Sequence, residues 1–86
     1  MDNRDSEVDL TSLILGFSSA VLSYLGIGDD TKKPDENSLT LAKQNIDILL
    51  LLREKTKGNL TLDESQLIND VVKDLMNKYA EVHGTF

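Results

Sequence analysis

The chain has 86 residues, no cysteine, a single histidine and a formal net charge of −6. That length makes one small domain whose lone core is marginal without a staple, and the composition rules out disulfides, thiolate metal sites, cysteine nucleophiles and a histidine zinc cluster. An electrostatic grip on nucleic acid or anionic lipid is disfavoured by the acidic balance, so oligomerisation is the staple that remains.

The acidity is uneven. Residues 1–38 hold eight acids and three bases, whereas residues 39–86 hold seven and six. Much of the excess lies at the start, where Asp2, Asp5 and Glu7 outnumber Arg4, so residues 1–8 read as a flexible acidic arm.

From Leu10 to Gly28 the chain then runs nineteen residues without a charge. A helix with no charged face is expected to be surrounded by protein or lipid. Its length is compatible with a membrane span, but Thr11, Ser12, Ser18, Ser19 and Ser23 dilute it and its flanks are acidic (Asp9, Asp29, Asp30). An N-terminal region that is net negative is also wrong for a secretory signal, which leaves a cytoplasmic protein as the expectation. At about 100° per residue, Leu10, Leu13, Ile14, Phe17, Ala20, Val21, Tyr24 and Leu25 share one arc. On the opposite side Ser12, Gly16, Ser19 and Ser23 form a seam of small residues, with Leu15 and Leu22 beside it, along which another helix can approach closely. The spacing predicts a helix over about 9–26, begun between Ser6 and Thr11 with Glu7 and Asp9 near its positive end, and closed by Gly26 and Gly28.

Residues 29–38, Asp-Asp-Thr-Lys-Lys-Pro-Asp-Glu-Asn-Ser, carry the only proline and read as an exposed connector. A calcium-binding EF-hand loop begun at Asp29 would place Pro34 where glycine is required and Thr40 where a bidentate glutamate is required, so that motif fails.

A second helix is expected over about 39–56. Leu39, Ala42, Ile46, Leu49 and Leu50 make one apolar stripe and Leu41, Ile48 and Leu52 a second, an apolar arc of roughly 200° that leaves Lys43, Gln44, Asp47, Glu54 and Lys55 for water. Gly58 suits a left-handed stop, and Arg53, Lys55 and Lys57 oppose the negative end of the helix dipole. Thr61 and Glu64 then form a Thr-x-x-Glu capping box opening a third helix over about 62–82. Its apolar stripe is Ile68, Val71, Val72, Leu75, Met76, Tyr79 and Val82, with Asp74 and Lys78 spaced as an i,i+4 pair. Residues 83–86 are expected to fray. The short connection Lys57-Gly58-Asn59-Leu60 makes an antiparallel αα-hairpin of the last two helices.

The stretches Leu41-Ala42-Lys43-Gln44-Asn45-Ile46-Asp47-Ile48-Leu49 and Glu54-Lys55-Thr56-Lys57-Gly58-Asn59-Leu60-Thr61 resemble the bacterial family known as domain of unknown function 1844. Phe17-Ser18-Ser19-Ala20-Val21-Leu22-Ser23-Tyr24-Leu25-Gly26 is similar to the first helix of that family, and the resemblance runs from about Leu10 to Tyr79. It implies a small helical fold of bacterial origin and brings no catalytic residue.

No residue set forms a catalytic, cofactor-binding or metal motif. His83 sits beside Gly84 near the C-terminus and reads as an exposed spectator; Asp47 falls with Lys43 on the wet strip. Arg53, Lys55 and Lys57 suit a phosphate or an acidic partner, but dipole complementation already accounts for them and no aromatic residues interleave them for base stacking. The glycines match neither a P-loop nor a dinucleotide fingerprint. The expectation is a non-enzymatic, all-α, three-helix domain over 9–82 that assembles as a homo-oligomer, with a dimer favoured, and presents a surface to an unidentified bacterial protein. Its interface residues would be Ser12, Leu15, Gly16, Ser19, Leu22, Ser23, Leu41, Ile48 and Leu52. A carrier of a small apolar ligand, with a pocket between the first two helices, and a peripheral membrane protein using the first helix are the alternatives.

Overall fold

Three amphipathic segments that each bury one face must share a core, and the computed structural model, which describes residues 9–28 and 33–84, shows how they do so. The helices are α1 (Leu10–Tyr24), α2 (Glu36–Lys55) and α3 (Leu62–His83), and each packs against the other two. The expected acidic arm, the middle of the connector at 29–32 and the last two residues lie outside the described residues.

α1 begins at Asp9, which is its N-cap, with a side chain that accepts the Ser12 N–H at 2.7 Å. It ends in a Schellman turn: the Gly26 N–H donates to the Ser23 carbonyl, the Ile27 N–H donates to the Leu22 carbonyl, both at 3.0 Å, and Gly26 takes φ 74°.

α2 starts three residues before the expected Leu39. The acid in Pro34-Asp35-Glu36 is a cap: Asp35 accepts the Ser38 N–H at 2.7 Å, so Glu36, Asn37 and Ser38 form the first turn rather than the end of a loop. Thr40, inside that helix, returns its hydroxyl to the Glu36 carbonyl. At the far end the Asn59 N–H closes a four-residue turn on the Thr56 carbonyl at 2.8 Å, with Gly58 at φ 88°.

The capping box of α3 forms as expected, the Glu64 N–H donating to Thr61 Oγ1 at 3.1 Å and the Thr61 N–H to Glu64 Oε1 at 2.9 Å. α3 runs one residue past the expected 82, to His83. Left-handed Gly84 (φ 101°) caps the helix, its N–H reaching the Ala80 carbonyl at 2.7 Å, and the His83 ring stacks on Tyr79 with centroids 5.2 Å apart.

The core is Ile14, Val21 and Leu25 from α1 and its exit, Ala42, Ile46 and Leu49 from α2, and Ile68, Val72, Leu75 and Tyr79 from α3. Among the described residues no polar or charged side chain is buried. Asp47 pairs with Lys43 at 3.2 Å on the solvated strip of α2, and Asp74 pairs with Lys78 on α3.

Candidate interaction surface

The azimuth of each helix is set by its buried residues, and that decides what the opposite side offers. On α1, Ile14, Val21 and Leu25 point one way; at about 100° per residue, Ser12, Gly16, Ser19 and Ser23 point the other. All four seam residues are exposed. A Cβ built on Gly16 meets nothing within 4 Å, so among the described residues the space above the seam at Gly16 is open.

Large apolar side chains flank this strip. Leu15 is 49% exposed and Leu13, expected on the core arc, is 39% exposed; on α2, Ile48 is 41% and Leu51 is 57% exposed. Between the two helices lies an open apolar groove of about 360 Å³, lined by Ser12, Leu13, Gly16, Phe17 and Ala20 of α1 and by Asn45 of α2. Asn45 shares its azimuth with Leu41, Ile48 and Leu52, so the groove joins the α1 surface to the outer stripe of α2. The Asn45 amide donates to the Leu41 carbonyl of its own helix at 2.8 Å, which settles one polar group of the groove without any outside partner.

The residues read from the sequence as an interface therefore divide. Ser12 and Gly16 line the groove; Leu15, Ser19, Ser23 and Ile48 are exposed but do not line it; Leu41 is half-buried. Leu22 and Leu52 are half-buried because they already pack against the chain's own core. Leu51, Leu13 and Asn45 were not among them. Leu51 lay outside both stripes counted on α2, and a polar residue inside an apolar stripe gives no signal until a neighbouring helix is placed beside it.

The backbone N–H of Ser12, with its hydroxyl second, holds the Asp9 carboxyl below its ordinary value of 3.8, and Ser38 does the same for Asp35. Among the described residues no three His, Asp or Glu side chains are grouped to hold a metal ion, and no helix is long and apolar enough to cross a membrane.

A family model described as domain of unknown function (DUF1844) matches residues 7–81. The chain belongs to this family. The match covers all of α1 and α2 and nearly all of α3, so the groove and the seam lie within the matched region. Comparison with curated proteins finds no match, and comparison with solved structures finds none.

Proposed function

We propose that this DUF1844 protein is a non-enzymatic, homo-oligomeric interaction module, a dimer in its simplest form. In this reading α2 and α3 form an antiparallel hairpin, the Arg53–Asn69 hydrogen bond near their turn being consistent with it. α1 lies along the pair and turns its small-residue seam toward a second copy. A bacterial, cytoplasmic setting belongs to the same proposal and rests on the sequence. The observation that carries it is the open apolar groove between α1 and α2, on helices that also leave Leu13, Leu15, Ile48 and Leu51 exposed.

Its magnitude is in the range that matters. Fully burying a large aliphatic side chain is worth about 1.5–3 kcal/mol, so covering the exposed halves of Leu13, Leu15, Ile48 and Leu51 on two copies contributes at most about 6–12 kcal/mol. Association costs about 4–15 kcal/mol in lost translational and rotational freedom. The seam then decides the balance, because without long side chains it lets two helix backbones close to packing distance.

The second reading, a carrier of a small apolar ligand, draws on the same groove, whose volume is within the range of about 300–1,000 Å³ typical of ligand sites. Such sites enclose most of their ligand, whereas this groove is open to solvent, which favours a protein cover. A copurified lipid or other apolar molecule in native mass spectrometry would favour the carrier instead.

Light scattering at micromolar concentration tests the assembly, with an expected mass at least twice the 9.6 kDa of one chain. Ser19→Lys buries an unpaired charge in the interface and should dissociate it, while Asp47→Lys, on the solvated strip, should leave the mass unchanged. A well-folded wild-type monomer, or equal masses for wild type and Ser19→Lys, overturns the proposal.

A further inference from the structure

A second recess, on a different part of the molecule, gathers two of the basic residues near the end of α2 with polar residues of α3. It has a volume of about 380 Å³ and lies at the turn between α2 and α3, lined by Arg53 and Glu54 of α2, Lys57, Gly58 and Leu60 of the turn, and Ser65 and Asn69 of α3. Of the three basic residues near the end of α2, Lys55 is absent from the lining.

The donors converge for a local reason. Left-handed Gly58 (φ 88°) reverses the chain immediately after α2 and returns Ser65, one turn into α3, and Asn69, one turn further, to the side of Arg53. Arg53 is half-buried, and its Nη1 donates to Asn69 Oδ1 at 3.3 Å, which orients the guanidinium. Among the described residues neither Arg53 nor Lys57 has an ion pair. The guanidinium therefore keeps N–H donors in the fork geometry that matches two oxygens of a phosphate. Glu54 is the single carboxylate in the lining, leaving two cations against one anion. The negative end of α2 and the positive end of α3 meet at the turn and oppose one another, so these side-chain charges set the sign.

We propose that this recess binds a phosphate group of a small molecule, with Arg53 as the oriented bidentate donor, Lys57 as a second cation, and the hydroxyl of Ser65 and the free amide donors of Asn69 as hydrogen-bonding groups. The chain's net charge of −6 disfavours an extended polyanion and favours a compact ligand that engages one local positive site. The inference is independent of the proposed dimer, whose surface lies along α1 and the outer stripe of α2.

The test is a titration of the full chain with inorganic phosphate, followed by amide NMR shifts, against sodium chloride of matched ionic strength and against acetate. Phosphate should produce saturable shifts at Gly58, Leu60, Ser65 and Asn69 in the millimolar range or below, and acetate should bind more weakly. Arg53→Gln should weaken phosphate by about tenfold or more, whereas Glu54→Gln, which removes the opposing carboxylate, should tighten it. Opposite signs from two adjacent substitutions are not expected of a merely structural pair, and circular dichroism of both variants verifies the fold. Shifts that chloride reproduces, acetate binding as tight as phosphate, or equal phosphate affinity in the wild type and Arg53→Gln overturns the proposal.

Discussion

Gly16→Ala separates a seam that faces water from one that faces a partner, because the two cases give effects of opposite sign. Gly16 sits in the interior of α1, lacks the positive φ that would require glycine, and has open space where a Cβ would stand. Within one chain the substitution therefore meets no clash and gains the helix propensity of alanine over glycine, about 0.8–1.0 kcal/mol. For a domain of this size 1 kcal/mol is worth roughly 4–8 °C in Tm. A partner helix packed on the seam changes the outcome, since a methyl group added at a close backbone contact must push the helices apart and overpacking costs about 1–3 kcal/mol. The expected result is a Tm that fails to rise by the propensity increment and a dimer that dissociates at higher protein concentration than wild type. Thermal unfolding across a dilution series, paired with light scattering, reads both. A rise of the full increment with no change in mass would show that Gly16 faces water and would refute the seam as the contact.

Two further outcomes test the local structure. Gly58→Val should destabilise the fold by about 1–2 kcal/mol in denaturant unfolding, an effect that is all backbone because a Cβ at Gly58 meets no atom within 4 Å; an unchanged midpoint would mean that the turn relaxes to another conformation. The caps make stability depend on acid: with folded pKa values below 3.8, Asp9 and Asp35 contribute stability that is present above that value and lost as pH falls through the folded pKa. The Asp9→Asn, Asp35→Asn double variant keeps capping side chains that do not titrate, so its Tm should fall less than that of wild type between pH 5 and pH 2, a range taken from the usual span of carboxylate titration; parallel curves would contradict the cap assignment.

Much of the fold was legible in the chain itself. The 3.6-residue period placed Ile14, Val21, Ala42, Ile46, Leu49, Ile68, Val72, Leu75 and Tyr79 on inward arcs, and all are buried. Thr61 with Glu64 and the glycines at 26 and 58 marked helix ends because capping chemistry is local, satisfied by residues within one turn. The start of α2 was missed for a related reason. Asp35 stands in a polar run where an aspartate serves a loop or a cap equally well, and only the position of the Ser38 N–H distinguishes them.

Tertiary structure decided the rest. On helices with more apolar surface than one neighbour can cover, period alone cannot say which arc the chain uses for itself: Leu22 and Leu52 are partly covered by the chain's own core, while Leu13, Ile48 and Leu51 are left outside. Asn45 belongs to the groove only because α1 packs beside it, and Arg53 meets Asn69 across sixteen positions of sequence only because α2 and α3 pack against each other. Helix formation and capping depend on neighbours within a few residues, which a sequence displays in order; the groove and the basic recess depend on the placement of whole helices, which hydrophobic burial sets through the core they share.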